Sequence, residues 1–258
     1  MDLGISGRKA IVCASSRGLG RACALALAEA GCDIVINGRD DAALAGTEAA
    51  VEAAGGTATI VKADVSTPEG QRALLAVCPA PDILVNNNGG PPRKDFRTLD
   101  RAAMLEGVTQ NMVTPIELIQ AVIDGMAERG FGRIVNITSA SVRMPIAGLD
   151  LSSGARAGLT AFLAGVCRTV ADKNVTINNI LPGKFDTDRL RGGLRWAADN
   201  SGKPYEEVAA AQAAEVPANR FGNPEEFGKA CAFLCSTHAG YITGQNLLID
   251  GGLFNGAF

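Results

Sequence analysis

Histidine is almost absent from this sequence, and aromatic residues are scarce. The 258 residues contain one histidine (His238), one tryptophan (Trp196) and two tyrosines (Tyr205 and Tyr241). A single histidine argues against a histidine-centred metal site and against a Ser-His-Asp triad. We therefore expect no bound metal and no hydrolase of that type.

Three further features are missing: a basic run, a C-x-x-C pair and a long apolar segment. The net charge of −3 disfavours nucleic acid and anionic membrane surfaces as partners. The seven cysteines are scattered through apolar segments without zinc-type or redox spacing. No apolar stretch approaches the roughly 18 residues of a membrane span, and the first residues do not resemble a leader peptide. We expect a reduced, cytoplasmic protein that binds neither nucleic acid nor membrane.

Short apolar runs alternate with helical segments along the whole chain. This alternation is typical of a parallel sheet with connecting helices on both faces. We predict an α/β fold, a single-domain Rossmann-like doubly wound sheet of about seven parallel strands formed by residues 1–258. Within it, the polar, Ala-rich residues 189–217 are predicted to form a helical substrate lid. The predicted strands are 9–13, 33–37, 57–63, 82–85, 132–137, 176–180 and 246–249.

The first predicted strand runs into a glycine-containing turn at residues 13–20, and a helix follows. Such a unit forms a phosphate cradle, because glycines let the backbone approach an anion and the N–H groups of the helix face it. A tight turn without a ligand is the alternative. The candidate cofactor ligands in this turn are Ser15, Ser16, Arg17, Gly18, Leu19 and Gly20.

The residues after the second strand bear on which dinucleotide binds. The adenosine ribose lies at this strand end, where an acidic residue would favour a free 2′-hydroxyl. Residues 37–39 (Asn-Gly-Arg) occupy the position instead, and Arg17 lies nearby in the glycine turn. Guanidinium groups on Arg17 and Arg39 suit a 2′-phosphate, so we predict NADP (NADPH) as cofactor. In the alternative, both arginines are solvated and Asp40 or Asp41 pairs with one of them.

Four motifs, in this order, resemble those of the short-chain dehydrogenase/reductase family. The family's T-G-x-x-x-G-x-G turn is similar to residues 13–20, with Ala14 in place of the first glycine, and its N-N-A-G is similar to residues 86–89. A Pro-Gly turn at 182–183 follows the sixth strand, and residues 220–252 are similar to the ending of 3-oxoacyl carrier-protein reductases in particular. The resemblance covers essentially the whole chain. It implies a small-molecule substrate and a homo-dimer or homo-tetramer that packs through helix 153–171.

Further candidate cofactor ligands follow the later strands, since ligands of α/β sheets bind at the carboxyl ends of strands. Three consecutive asparagines, residues 86–88, end the fourth strand. The family places a nicotinamide contact at the position of Thr187. The candidate cofactor ligands outside the glycine turn are Arg39, Asp64, Val65, Asn87, Gly89, Pro182, Gly183 and Thr187.

The catalytic set of the family is Asn, Ser, Tyr and Lys, with the last two four residues apart. The resemblance assigns Asn111 and Ser139 to the first two positions. Residues 156–158 match the family's K-A-G, which places Ser152 where the tyrosine belongs and Arg156 where the lysine belongs. A serine hydroxyl is a far weaker acid than a phenol, and an arginine stays protonated. The family's proton-transfer mechanism therefore cannot operate here unchanged.

Three functions remain open on this scaffold. The first is an NADP(H)-dependent oxidoreductase that acts on a carbonyl or alcohol group of a small substrate. The arginines of the predicted lid favour an anionic substrate. Ser139 and Ser152 would orient the carbonyl, Arg156 would supply positive charge, and water or another side chain would supply the proton. The second is a non-redox enzyme (lyase, aldolase-like, dehydratase or decarboxylase) in which these three residues stabilise an oxyanion or a carboxylate. The third is a catalytically silent NADP-binding protein, in which Ser152 merely caps its helix. The candidate substitutes for the proton donor are Asp150, Lys184, Asp186 and Tyr205.

Overall fold

The computed structural model describes residues 1–91 and 93–256, and in that part of the chain seven strands form one sheet. The strand order is β3-β2-β1-β4-β5-β6-β7, and every neighbouring pair is parallel. The predicted fold class is confirmed, and the predicted strand limits differ from the observed ones by no more than about two residues. The strands are β1 (Lys9–Val12), β2 (Asp33–Gly38), β3 (Thr57–Lys62), β4 (Ile83–Asn86), β5 (Gly132–Ile137), β6 (Val175–Pro182) and β7 (Asn246–Ile249).

Helices cover both faces of the sheet. Buried side chains of α1, α2 and α9 form one core cluster, and those of α3, α5 and α6 form the other. The central strands are apolar on both faces for this reason. None of the helices described has the length and the apolar composition needed to cross a membrane. The helices are α1 (Gly18–Glu29), α2 (Asp41–Ala53), α3 (Pro68–Val77), α4 (Arg101–Val108), α5 (Thr114–Glu128), α6 (Asp150–Val166), α7 (Asp188–Ser201), α8 (Tyr205–Ala214) and α9 (Pro224–Cys235).

The long helix predicted for residues 99–129 is interrupted. A π-helical turn over Thr109–Val113 separates α4 from α5, and the Thr114 N–H donates to the carbonyl of Thr109, five residues back. Pro115 has no N–H and cannot donate to the Asn111 carbonyl four residues before it, which breaks the α-helical pattern at this point. The helix predicted for 153–171 also differs, since α6 ends at Val166 and short 3-10 turns follow.

Residues 189–217 fold into most of α7 and all of α8, beside the carboxyl edge of the sheet. Leu194 and Ala198 are buried and hold α7 against the protein, whereas Trp196 on the same helix is 66% exposed. The predicted helical character of this segment is therefore present. Its function as a lid remains a prediction.

Asparagine side chains connect the four neighbouring strands β4 to β7 in one row across the sheet. The amide Nδ2 of Asn86 donates to Oδ1 of Asn136 (3.0 Å), Asn136 donates to Asn179 (3.1 Å), and Asn179 donates to Asn246 (2.8 Å). The partners are paired across the sheet in each case. Because a slip of one residue would leave buried amides unpaired, this asparagine ladder fixes the register of β4 to β7 directly beneath the candidate site.

Candidate active site

The glycine turn lies between β1 and α1, and Ser15 shapes it from below. Ser15 is fully buried; its hydroxyl donates to the Val12 carbonyl (2.7 Å) and accepts from the N–H of Asn37 (3.0 Å). The side chain thus joins the ends of β1 and β2. Residues 16–19 are accessible to solvent at the rim of the turn, where a phosphate could approach their backbone.

Gly20 leaves room for a contact that holds the turn in shape. The amide Nδ2 of Asn87 donates to the Ala14 carbonyl (3.1 Å), and a Cβ at Gly20 would lie 2.8 Å from that nitrogen and collide with the Ala14 oxygen. Ala14 itself has a φ of 44°, a conformation that disfavours every residue with a Cβ. The glycine of the family motif would be unstrained here. The turn nevertheless keeps the form of a cradle, which fits a dinucleotide phosphate.

Asn37 is turned into the sheet and away from the predicted ribose position. Its Nδ2 donates to the carbonyls of Val61 (3.0 Å) and Ala63 (3.1 Å), and its Oδ1 accepts from the Ala14 N–H (3.3 Å). An amide can donate and accept at once, so this side chain ties β1, β2 and β3 together. The sequence showed only that the residue is not acidic, and its structural role was missed.

Both arginines assigned to the 2′-phosphate have carboxylate partners in this structure. Arg17 pairs with Asp40 (2.5 Å), which also caps α2, and Arg39 pairs with Asp64 (3.2 Å). The backbone N–H of Ala43 at that cap, together with Arg17, lowers the pKa of the Asp40 carboxyl. The Asp40 pair is the one that the alternative interpretation named. Both guanidinium groups are exposed at the rim, however, so a phosphate could reach them.

The remaining candidate cofactor residues lie along the same edge. Thr187 caps α7, with its hydroxyl accepting from the N–H of Leu190 (3.4 Å). The Pro-Gly turn is held by the Gly183 N–H, which donates to the Ile249 carbonyl (2.9 Å). The others are placed after β3 (Asp64, Val65), after β4 (Asn87, Gly89) and at the end of β6 (Pro182, Gly183).

Arg156 lies at the centre of the candidate site and is only 8% exposed. Its Nη1 donates to the carbonyl of Ile137, the last residue of β5 (2.6 Å), and its Nε donates to the Ser152 hydroxyl (3.2 Å). No ion pair in the described part of the chain includes Arg156. A guanidinium carries five N–H groups, so three of them have no bonded protein acceptor among the described residues.

Ser152 is the third residue of α6, and the interpretation of this residue as a helix cap is wrong. The capping position is Leu149, whose side chain makes no capping hydrogen bond. The buried Ser152 hydroxyl accepts from Arg156 instead, one helical turn away. Ser139 is half-buried two residues beyond the Ile137 carbonyl that Arg156 binds, and its hydroxyl accepts from the Ser141 N–H (3.1 Å).

Asn111 and Arg156 line one cleft of about 300 Å³ at the carboxyl ends of β4 and β5. Asn111 lies in the π-helical turn and is buried; its Nδ2 donates to the Gly107 carbonyl (3.2 Å), while its Oδ1 has no partner. The neighbouring Thr114 Oγ1 and Asn86 Oδ1 are likewise unpartnered. Buried polar atoms rarely stay unpaired, so the polar wall of this cleft is fitted to a ligand or to water.

A second cleft of about 200 Å³ is lined by Ser152, which accepts the hydrogen bond from Arg156 of the first cleft. Lys94 and Pro91 lie on its wall, and the sequence had singled out neither. Of the predicted substitutes for the proton donor, Lys184 is paired with Glu215 and Asp186 with Arg191. The first cleft is lined by Asn86, Asn87, Asn88, Gln110, Asn111, Thr114, Pro115, Leu118, Asn136, Ile137, Arg156 and Leu159. The second cleft is lined by Pro91, Lys94, Leu99, Gly148, Leu149, Leu151 and Ser152.

Burial controls the electrostatics of the centre. Removal from water, followed by the charge of Arg189, lowers the pKa of Arg156 to about 10. The guanidinium is therefore still charged at neutral pH, but its charge lacks a compensating carboxylate. Such a group is suited to stabilise negative charge on a ligand, and it cannot act as a proton donor near pH 7.

Other kinds of centre find less support in the described residues. All seven cysteines are free and buried. Between residues 1–91 and 93–256 no three histidine, cysteine, aspartate or glutamate side chains come together in a way that could hold a metal ion.

Comparison with known proteins agrees with this arrangement. Residues 13–254 match the family model described as enoyl-(acyl carrier protein) reductase. Nodulation protein G of Azospirillum brasilense is 35% identical over 96% of this chain and 99% of its own. The 3-oxoacyl-[acyl-carrier-protein] reductase of Vibrio cholerae is 32% identical over 98% of this chain and 99% of its own.

Among solved structures, L-sorbose reductase from Gluconobacter frateurii, complexed with NADPH and L-sorbose, superimposes with a TM-score of 0.94. It is 28% identical, and the match covers 100% of both chains. The predicted resemblance, including that to 3-oxoacyl carrier-protein reductases, is confirmed over nearly the full length. The chain belongs to the short-chain dehydrogenase/reductase family of oxidoreductases.

Proposed function

We propose that this protein is an NADP(H)-dependent oxidoreductase that reduces a carbonyl group of a small anionic substrate, or forms it in the reverse direction. The observation that carries the proposal is Arg156, a buried guanidinium without a carboxylate partner that lines the cleft beside the predicted cofactor edge. The cradle formed by Gly20 and Asn87, and the two exposed arginines at the rim, support NADPH as the cofactor. The NADPH-bound sorbose reductase is a relative with the same fold.

The cofactor, when bound, supplies the hydride. Arg156 would stabilise the negative charge that develops on the carbonyl oxygen, because its free N–H groups lie in a desolvated cleft. Ser152 fixes the guanidinium through the Nε contact, and Ser139 lies at the same strand end to orient the substrate. Neither serine nor Arg156 releases a proton at neutral pH, so a water molecule in the cleft protonates the alkoxide.

The test is NADPH oxidation, followed by absorbance, with a panel of β-keto esters, ketones, keto acids and quinones. We expect turnover that falls about 100-fold in Arg156→Gln, as for loss of an oxyanion donor. Arg72→Gln is the matched control, since Arg72 pairs with Glu69 on the exposed face of α3. NADPH binding without turnover of any carbonyl would refute the reductase proposal.

A non-redox reaction is the second candidate, favoured by the fact that no tyrosine lines either cleft in the described part of the chain. A lyase, aldolase-like, dehydratase or decarboxylase step would use Ser139, Ser152 and Arg156 to hold an oxyanion or a carboxylate. Mass spectrometry of products formed without cofactor turnover would identify it. A silent NADP-binding protein would give no product under either condition.

The assembly and the lid are proposed on structural grounds. We infer a single domain over residues 1–258, with 189–217 as its substrate lid, because α7 and α8 flank the clefted edge. A homo-dimer or homo-tetramer is supported by Phe162, which exposes 48% of its surface on α6 although it is apolar. Light scattering of the wild type and of Phe162→Glu tests the assembly. A cytoplasmic location agrees with seven unpaired cysteines.

A further inference from the structure

The three arginines of α7 differ in their surroundings. Arg191 is paired with Asp186 (2.6 Å) and Asp188 (3.0 Å). Arg195 is exposed and forms no ion pair with a described residue. Arg189, in the first turn of the helix, instead donates to two backbone carbonyls, those of Gly90 (3.3 Å) and Pro91 (3.4 Å). Only Arg189 therefore bridges the lid and the loop that follows β4.

These contacts place Arg189 next to the catalytic centre. Pro91, whose carbonyl Arg189 binds, lines the same cleft as Ser152, and Ser152 accepts a hydrogen bond from Arg156. The loop is shaped to admit the guanidinium, because a Cβ at Gly90 would lie 2.9 Å from both of its Nη atoms. Arg189 on α7 and Arg156 on α6 are thus connected through Pro91 and Ser152, which both line the second cleft.

Positive charge at this place is not balanced by the protein. Among the described residues, no ion pair includes Arg156, Arg189, Arg93 or Lys94. Burial and the charge of Arg93 lower the pKa of Arg189, just as burial and Arg189 lower that of Arg156. Neighbouring cations without a carboxylate repel one another, and an anion that binds between them relieves the repulsion.

We propose that Arg189 and Arg156 together form the binding site for a carboxylate group of the substrate, with Arg189 as the residue that selects anionic over neutral carbonyl compounds. This inference rests on the proposed function, since it assigns the substrate class of the same site. Arg156 has unused N–H groups in the cleft, and the planar fork of Arg189 can leave or share its two carbonyl acceptors. Lys94 on the wall of the second cleft adds a long-range attraction.

The test measures binding of a defined probe without any turnover. The probe is 4-oxopentanoate, with its methyl ester as the neutral counterpart and inorganic phosphate as the competing anion. Calorimetry and the emission of Trp196, the only tryptophan, which lies on α7, report binding to the full-length protein with and without NADP. We expect the keto acid to bind at least about tenfold more tightly than its ester, since a charge-assisted hydrogen bond contributes that much.

Variants separate a specific site from general positive charge. Arg189→Gln should weaken binding of the keto acid about tenfold, Arg189→Lys should retain part of it, and the matched control Arg191→Gln should leave it unchanged. Gly90→Ala displaces the guanidinium of Arg189 without removing it, so it should weaken binding of the keto acid as much as Arg189→Gln does. It replaces Arg189→Gln in the test if that variant does not fold.

Several results would overturn the assignment. They are equal affinity for acid and ester, no binding by the wild type at millimolar concentration, an affinity that Arg189→Gln leaves intact, or tighter binding of phosphate than of the keto acid. Failure of the proposed function would look different. The protein would still bind the anion in a manner that depends on Arg189, but none of the carbonyl compounds would cause it to oxidise NADPH.

Discussion

Replacement of Arg156 by methionine should stabilise the protein while it removes activity. The fall in the pKa of Arg156 to about 10 corresponds to about 3 kcal/mol by which burial penalises the charged form. Methionine keeps an unbranched, flexible side chain but is two atoms shorter and carries no charge. It gives up the hydrogen bonds to Ile137 and Ser152, each of which contributes about 1 kcal/mol. We therefore expect the free energy of unfolding to rise by about 1 kcal/mol, or Tm by about 2–4 °C for a chain of this size.

The pH dependence of the same comparison checks the physical cause. Below about pH 10 the guanidinium is charged in the native and the unfolded state, so the penalty is fully present. Between about pH 10 and 12.5 the native protein loses this proton first, the penalty is relieved, and the advantage of Arg156→Met should shrink. The assay is urea denaturation at pH 7 and pH 10.5, with the surface variant Arg72→Met as control. A loss of more than about 1 kcal/mol in Arg156→Met at pH 7 would show that the fold compensates the charge.

Four other changes test separate parts of the structure. Ala14→Gly should raise the free energy of unfolding by about 1 kcal/mol in urea, because it removes the strained positive φ; a decrease would show that the turn is unstrained. Arg39→Asp should weaken NADPH binding at least about tenfold in a fluorescence titration and leave NADH unaffected, and an unchanged NADPH affinity would place the phosphate elsewhere. The double variant Ser152→Tyr with Arg156→Lys should create or raise NADPH-dependent reduction of β-keto esters; without any gain, the alignment of these positions with the family's tyrosine and lysine is wrong. Asn136→Leu should lower the free energy of unfolding by about 2–4 kcal/mol, since it leaves neighbouring amides of the asparagine ladder unpaired, and a near-neutral result would show that the ladder contributes little.

The sheet could be predicted closely because its signal is local. β5 and β7 have the predicted limits, and both are short, mostly apolar segments bounded by glycine or polar residues. The break in the long helix was harder to place. Pro115 indicated a bend, but the π-helical turn that results begins six residues earlier, at Thr109.

Side-chain pairing could not be predicted, because it depends on residues from distant segments. Nothing in the order of residues shows that Arg39 meets Asp64, 25 residues away, or that Arg189 meets the carbonyls of Gly90 and Pro91. The asparagine ladder is a different case. Each of the strands β4 to β7 contains one of these asparagines, and they fall into one row once the strands are aligned, so the members of the ladder could have been recognised.

For the site residues too, local sequence patterns predicted the positions, whereas the surroundings of each side chain depended on the fold. Arg156 was recognised from its position in a motif, but its burial and its lack of a carboxylate partner required the fold. Lys94 lies in a loop without any pattern, and only the cleft reveals it. Sequence therefore predicted the position of the candidate site and left its electrostatics open.

The energetics of Arg156 connect these observations to function. A protein that only needed to fold would gain stability by losing a buried charge of this kind. If the charge of Arg156 is instead matched to negative charge on a bound carbonyl compound, only the ligand-free protein is destabilised. A ligand that fills the site should then restore the lost stability. At a concentration 100 times its Kd, such a ligand adds about 2.7 kcal/mol to the free energy of unfolding, a change that urea denaturation detects easily. The wild type should therefore gain stability from an anionic carbonyl compound while Arg156→Met should not, and equal stabilisation of both proteins would separate the buried charge from ligand binding.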